Sequence, residues 1–125
     1  MNIEVSVPLH PTESKSKVER ALKTLFPVME FTLSGGQYVG KSRDVACLNH
    51  FKELLEMQRI RDTANTILKR SLCDDSLLFY LNKQAAFMGK VNFSENCPLD
   101  PITVFIKGKN LITLINSISP RTTEL

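Results

Sequence analysis

What most constrains the fold of this chain is that its apolar spacing changes repeatedly between two periods. Ile3, Val5 and Val7 alternate with Glu4 and Ser6, the pattern of a half-buried strand, because successive strand side chains point to opposite faces. From Val18 the spacing becomes Val18, Ala21, Leu22 and Leu25, a stripe along one side of a helix. Met29, Phe31 and Leu33 then alternate again, as do Ile102, Val104 and Ile106. A chain of 125 residues is the size of one ordinary domain. We read residues 1–125 as a single α+β domain, a two-layer sandwich. A mostly antiparallel sheet of about six strands carries helices on one face, in the order β-α-β-β-α-α-β-β-β-α.

Local signals place the remaining elements. Ser16 with Glu19 offers a capping box for the first helix, with Thr12 as the alternative, earlier start, and Pro27 closes it. Ser34-Gly35-Gly36-Gln37 supplies the glycine pair of a tight hairpin turn, and a strand follows from Gln37 to Lys41. Ser42 reads as an N-cap, and Asp44 complements the dipole of a helix that buries Val45, Leu48, Phe51, Leu54 and Leu55. Ile60, Ala64, Ile67 and Leu68 form a second stripe, either a separate helix or the continuation of a bent one. Arg59, Thr63, Thr66 and Arg70 flank it on one side, and Arg61, Asn65 and Lys69 on the other. Asp74-Asp75 reads as a turn.

Leu77 to Leu81 is apolar on both sides, which predicts a strand that is central or covered on both faces. Asn82-Lys83-Gln84-Ala85 reads as a connection. Phe87, Gly89, Val91 and Phe93 read as a returning strand with a polar, cationic second face, in which Gly89 marks a bulge or a close backbone approach. After a loop from Ser94 to Pro101 come the last strand, ended by Gly108, and a helix from an Asn110 cap through Leu111, Leu114, Ile115 and Ile118. The tail from Arg121 to Leu125 reads as frayed.

Several function classes lose support from composition and spacing. The longest apolar run, Leu77 to Leu81, is far below the ~20 residues that span a bilayer, and no signal-peptide pattern opens the chain. The expectation is a cytoplasmic protein with no membrane partner. Cys47, Cys73 and Cys97 are odd in number and widely spread, so they read as reduced structural thiols. Cys47 and His50 share a helical spacing, but His10 is the only other histidine, so no metal site is assembled. There is no nucleophile–base pair, phosphate loop or carboxylate constellation that specifies a reaction. We expect no enzyme activity, cofactor or small-molecule substrate.

Net charge is only +3, from sixteen Lys and Arg against thirteen Asp and Glu. Its distribution is more informative. Between residues 59 and 70 stand Arg59, Arg61, Lys69 and Arg70 against one acid, Asp62, a local excess that can hold phosphates. Asn82, Lys83, Gln84, Lys90 and Asn92 are placed to reach sugar hydroxyls or base edges, and Tyr80 to stack. These ten residues are the candidate RNA-binding set. The competing expectation is a protein-interaction or homodimer module, because Phe105 puts an apolar ring on the second face of its strand.

The string QRIRDTANTILKR from Gln58, FYLNKQAAFMGKVNF from Phe79 and PLDPITVFI from Pro98 resemble an archaeal family, uncharacterised protein family 0201, catalogued as RNA-binding-like. The similarity runs from V-P-L-H-P-T-E at Val7, through Leu25 to Pro27, to the final helix. It implies a two-layer α+β fold similar to the ribosomal protein that binds the small RNA of the large subunit. It also implies an archaeal cytoplasmic setting.

Overall fold

The computed structural model describes residues 1–94 and 101–120. Strand β1 (Asn2–Pro8) is followed by α1 (Lys15–Leu25), a hairpin of β2 (Phe31–Ser34) and β3 (Gln37–Ser42), and then α2 (Asn49–Met57) and α3 (Arg61–Ser71). A second hairpin joins β4 (Leu72–Cys73) to β5 (Ser76–Leu81), and α4 (Lys83–Phe87), β6 (Ile102–Lys107) and α5 (Leu111–Ile118) complete the chain. The six strands form one antiparallel sheet in the order β2-β3-β1-β6-β5-β4. The fold is therefore α+β, with the helices on one face.

The alternation read from sequence decides which face they cover. Ile3, Val5 and Val7 of β1, Leu77, Phe79 and Leu81 of β5, and Ile102, Val104 and Ile106 of β6 are all buried, in one cluster with Val18, Leu22 and Leu25 of α1 and Ile115 of α5. The opposite parity, including Glu4, Ser6, Lys41, Leu78, Tyr80, Thr103, Phe105 and Lys107, lies on a face that no described helix covers. Four phenylalanines tie the sheet to α1 and α2. Phe51 stacks against Phe26 and Phe79 at centroid distances of 5.7 and 6.0 Å, and Phe93 meets Phe79 at 5.8 Å.

Gly35 and Gly36 both take positive φ, 59° and 78°, in the two-residue turn between Ser34 and Gln37, as the glycine pair predicts. Two caps differ from the sequence reading. Ser14, not Ser16, caps α1 by accepting from the Lys17 N–H, and Asp44, not Ser42, caps a 3-10 turn at Val45–Leu48 that leads into α2. Ser42 ends β3 and accepts from the Asp44 N–H.

The largest departure lies between residues 82 and 93. The predicted strand from Phe87 to Phe93 is absent, and the sixth strand is the short β4. Asn82 is an N-cap whose Oδ1 accepts from the Ala85 N–H at 2.9 Å, and Lys83 to Phe87 form α4. Lys-Gln-Ala-Ala is a run of strong helix formers, and here that preference outweighs the alternation of Phe87, Gly89, Val91 and Phe93. Gly89 is not a bulge. At φ 72° it ends α4, with its N–H on Ala86 O and the Lys90 N–H on Ala85 O. Only a single bridge, Leu81 to Phe93, remains of the expected strand pair. Of the two alternatives for β5, the first holds in that β5 lies inside the sheet between β6 and β4, but it is not covered on both faces, since Leu78 is 40% exposed. Cys97, most of the loop after Ser94 and the tail from Arg121 lie outside the described residues.

Candidate nucleic-acid interface

Helices α2 and α3 are separate. Arg59 takes a left-handed conformation, φ 58°, between them, and the chain re-enters a helix at Arg61. Eleven residues make α3 about 16 Å long. The four cations read from sequence are thereby divided between its two ends. Arg59 and Arg61 line a shallow hollow with Glu56 and Asp62, so charge at that end is balanced. Lys69 and Arg70 are exposed in the last turn, where cations complement the helix dipole. Arg70 lines a second hollow with Ile67, Ser71, Leu78, Phe79, Tyr80 and Ser94. The C-terminal end of α3 therefore meets the sheet at Tyr80, which is half-buried and on the uncovered face.

Residues 82–92 form a different kind of surface from the expected strand pair. Lys83 is 8% exposed, and its Nζ donates to Pro8 O at 2.8 Å and to Glu13 Oε1 and Oε2 at 3.0 and 3.3 Å. Its ammonium ties α4 to the loop after β1. Asn82 is engaged as the cap, while Gln84, Lys90 and Asn92 are exposed. Lys90 and Asn92 flank Val91, whose backbone is gripped by one side chain. Gln58 Oε1 accepts the Val91 N–H at 2.7 Å, and Gln58 Nε2 donates to Val91 O at 2.9 Å. That pair of bonds brings Lys90 and Asn92 beside the α2–α3 turn and Arg59. Phe79 is core, so of the two adjacent rings only Tyr80 faces outward.

Asn65, read from sequence as part of a polar flank, is fully buried. Its Nδ2 donates to Ser119 O at 2.7 Å and Asn116 Oδ1 at 3.1 Å, locking α3 to α5. Sequence reasoning left Lys41, Arg43 and Lys107 unassigned. With Asn2, Glu4 and Phe105 they line a hollow on the uncovered sheet face, and strand parity at Lys41 and Lys107 was the available signal. Among the described residues, no group of three or more His, Cys, Asp or Glu is arranged to hold a metal ion, and no helix is long and apolar enough to cross a membrane. His50 pairs instead with Glu53, at 3.5 Å, and Cys47 is buried, which pushes its thiol pKa up.

Comparison with known proteins places this arrangement. A UPF0201 protein from Thermococcus onnurineus is 38% identical over 126 residues, covering 98% of this chain and 93% of that protein. The chain belongs to the UPF0201 family. The family model that matches residues 2–108 is described as RNA binding. A crystal structure of an uncharacterised UPF0201 protein matches with a TM-score of 0.87 at 34% identity, over 98% of this chain and 95% of that one. The UPF0201 protein of Methanococcus jannaschii matches at 0.83 and 32% identity, with the same coverage. This chain thus shares its fold with those UPF0201 structures.

Proposed function

We propose that this UPF0201 chain binds structured RNA through the basic side chains at the two ends of α3, and that Tyr80 contacts the RNA where α3 meets the sheet. The observation that carries the reading is that Arg70 and Tyr80 line one hollow, within the span matched by the RNA-binding family. A guanidinium and an outward-facing ring that share a hollow are suited to a phosphate and the base or sugar next to it. Arg59 and Arg61, about one helix length away, reach the backbone at a second point, with Lys90 and Asn92 adjoining Arg59. Two contact points on a rigid helix favour recognition by shape, which suits the modest net charge of +3. Lys83 serves this surface indirectly, by holding α4 in place.

The test is to titrate the protein against a panel of structured RNAs at low salt and to repeat the titration with Arg59→Ala/Arg70→Ala. The variant should fold normally, bind more weakly, and show a salt dependence of log affinity shallower by about 0.9 per lost duplex phosphate contact. Absence of binding by the unmodified protein across the panel removes the proposal.

A further inference from the structure

We infer that the uncovered face of the sheet holds an unpaired stretch of the same RNA, with Phe105 and Tyr80 as stacking rings and Lys41, Arg43 and Lys107 as phosphate contacts. The inference rests on the RNA reading above and names the kind of RNA it needs: a structured element with an unpaired end or loop.

The strand register assembles the parts. On the uncovered face Phe105 of β6 stands between Leu78 of β5 and Glu4 of β1, and Glu4 in turn opposes Lys41 of β3. One step along, Tyr80 opposes Thr103, which opposes Ser6, which opposes Val39. In the other direction Lys107 opposes Asn2. Phe105 and Tyr80 are therefore diagonal neighbours on adjacent strands, a relation that sets residues about 7–8 Å apart and their β-carbons somewhat closer. Two rings so placed on neighbouring strands can stack consecutive unpaired bases, and the intervening Thr103 and Ser6 hydroxyls can meet base edges or ribose hydroxyls.

Charge selects the occupant. The hollow at Phe105 is lined by three cations, Lys41, Arg43 and Lys107, against one carboxylate, Glu4. Cores of protein–protein interfaces are depleted of charged residues, whereas here Leu78 adjoins the ring on one side and charged residues, Glu4 across the ladder and Lys107 along the strand, adjoin it on the others. A cationic rim round an aromatic floor is the composition of a single-strand path. The path is continuous with α3, because Tyr80 shares its hollow with Arg70.

The experiment compares one RNA hairpin with the same hairpin carrying a single-stranded overhang of roughly ten nucleotides. Three proteins are titrated: the unmodified chain, Phe105→Leu, which keeps an apolar strand residue but removes the ring, and Lys41→Ala/Lys107→Ala. We expect the overhang to strengthen binding to the unmodified chain. Phe105→Leu should remove about tenfold of that gain. The lysine pair should lower the salt slope by about 1.4, at about 0.7 for each single-strand phosphate contact. Both variants should bind the bare hairpin as the unmodified chain does. If the hairpin binds but the overhang adds nothing, or the variants leave its effect unchanged, the sheet-face inference falls and the α3 reading stands. If neither RNA binds, both fall. A dimer of the unmodified chain that Phe105→Leu converts to monomer assigns the face to self-association and overturns the inference.

Discussion

Replacing Lys83 with methionine separates its structural part from any contact with RNA. The substitution keeps the length and apolar stem of the side chain and removes the ammonium. Three short contacts are lost, to Pro8 O and both oxygens of Glu13. Removing one partner of a fully buried ion pair costs about 3–5 kcal/mol, and an exposed pair is worth about 1 kcal/mol or less. Lys83 lies near the first limit at 8% exposed, whereas the Glu13 side chain keeps 20% of its surface in water and still accepts the His10 N–H at 2.9 Å. We therefore place the loss at about 2 kcal/mol, which lowers the melting temperature by about 8 °C in a chain of this size. Thermal melts followed by circular dichroism measure it. A loss under about 0.5 kcal/mol would refute the reasoning, as would strict additivity with Glu13→Gln in a double-mutant cycle.

The pH dependence carries a sign. Burial alone raises the Glu13 pKa, but the His10 N–H and the Lys83 ammonium bring it below its ordinary 4.5. A carboxyl whose pKa falls on folding binds fewer protons folded than unfolded, so its contribution is complete above the unfolded value and is lost as pH falls through the folded one. The stability gap between the unmodified chain and Lys83→Met should be widest near neutral pH and narrow on acidification below about 4.5, leaving the part due to the Pro8 O bond. Measured well below both melting temperatures, the salt slope for RNA should not change.

Two further outcomes test the surroundings of the candidate surface. Gln58→Ala removes both bonds to Val91 and should cost about 2 kcal/mol, with amide exchange at Val91 rising more than in β1. In the native protein a thiol-alkylating reagent near neutral pH should label exposed Cys73 well before buried Cys47, whose raised pKa suppresses thiolate, and the difference should vanish on unfolding.

Much of the fold was legible because period and punctuation agreed. Ile3, Val5 and Val7 were read as a buried strand side, Val18 to Leu25 as a helix stripe and Gly35-Gly36 as a hairpin turn, and each has that place in the structure. The stretch from Asn82 to Phe93 was misread where two signals conflicted, since four alternating residues matched a strand while a cap, helix formers and a terminal glycine specified one turn and a half of helix. Candidate-site residues were harder to place than elements. Spacing put Arg59 and Arg70 on one helix flank, whereas Arg59 lies in the turn before α3, and spacing did not show that Asp62 and Glu56 would neighbour one end and Tyr80 the other. Lys83 looked like any surface lysine, because its partner Glu13 is 70 positions away in the chain. Asn65, spaced four from Arg61 and from Lys69, looked solvated for the same reason: its partner Ser119 O lies 54 residues on.

The order of strands has a bearing on how the chain comes off the ribosome. The hairpins β2–β3 and β4–β5 use neighbours in sequence, but the middle of the sheet joins the first strand to the last, with Val5 opposite Val104. Until β6 has emerged, β1 with its hairpin and β5 with its hairpin are two half-sheets, each with an unpaired inner edge. Such long-range closure is slow and leaves raw edges waiting. In a nascent chain of this topology the two inner edges stay unpaired until the final strand is available, and that strand acts as the keystone.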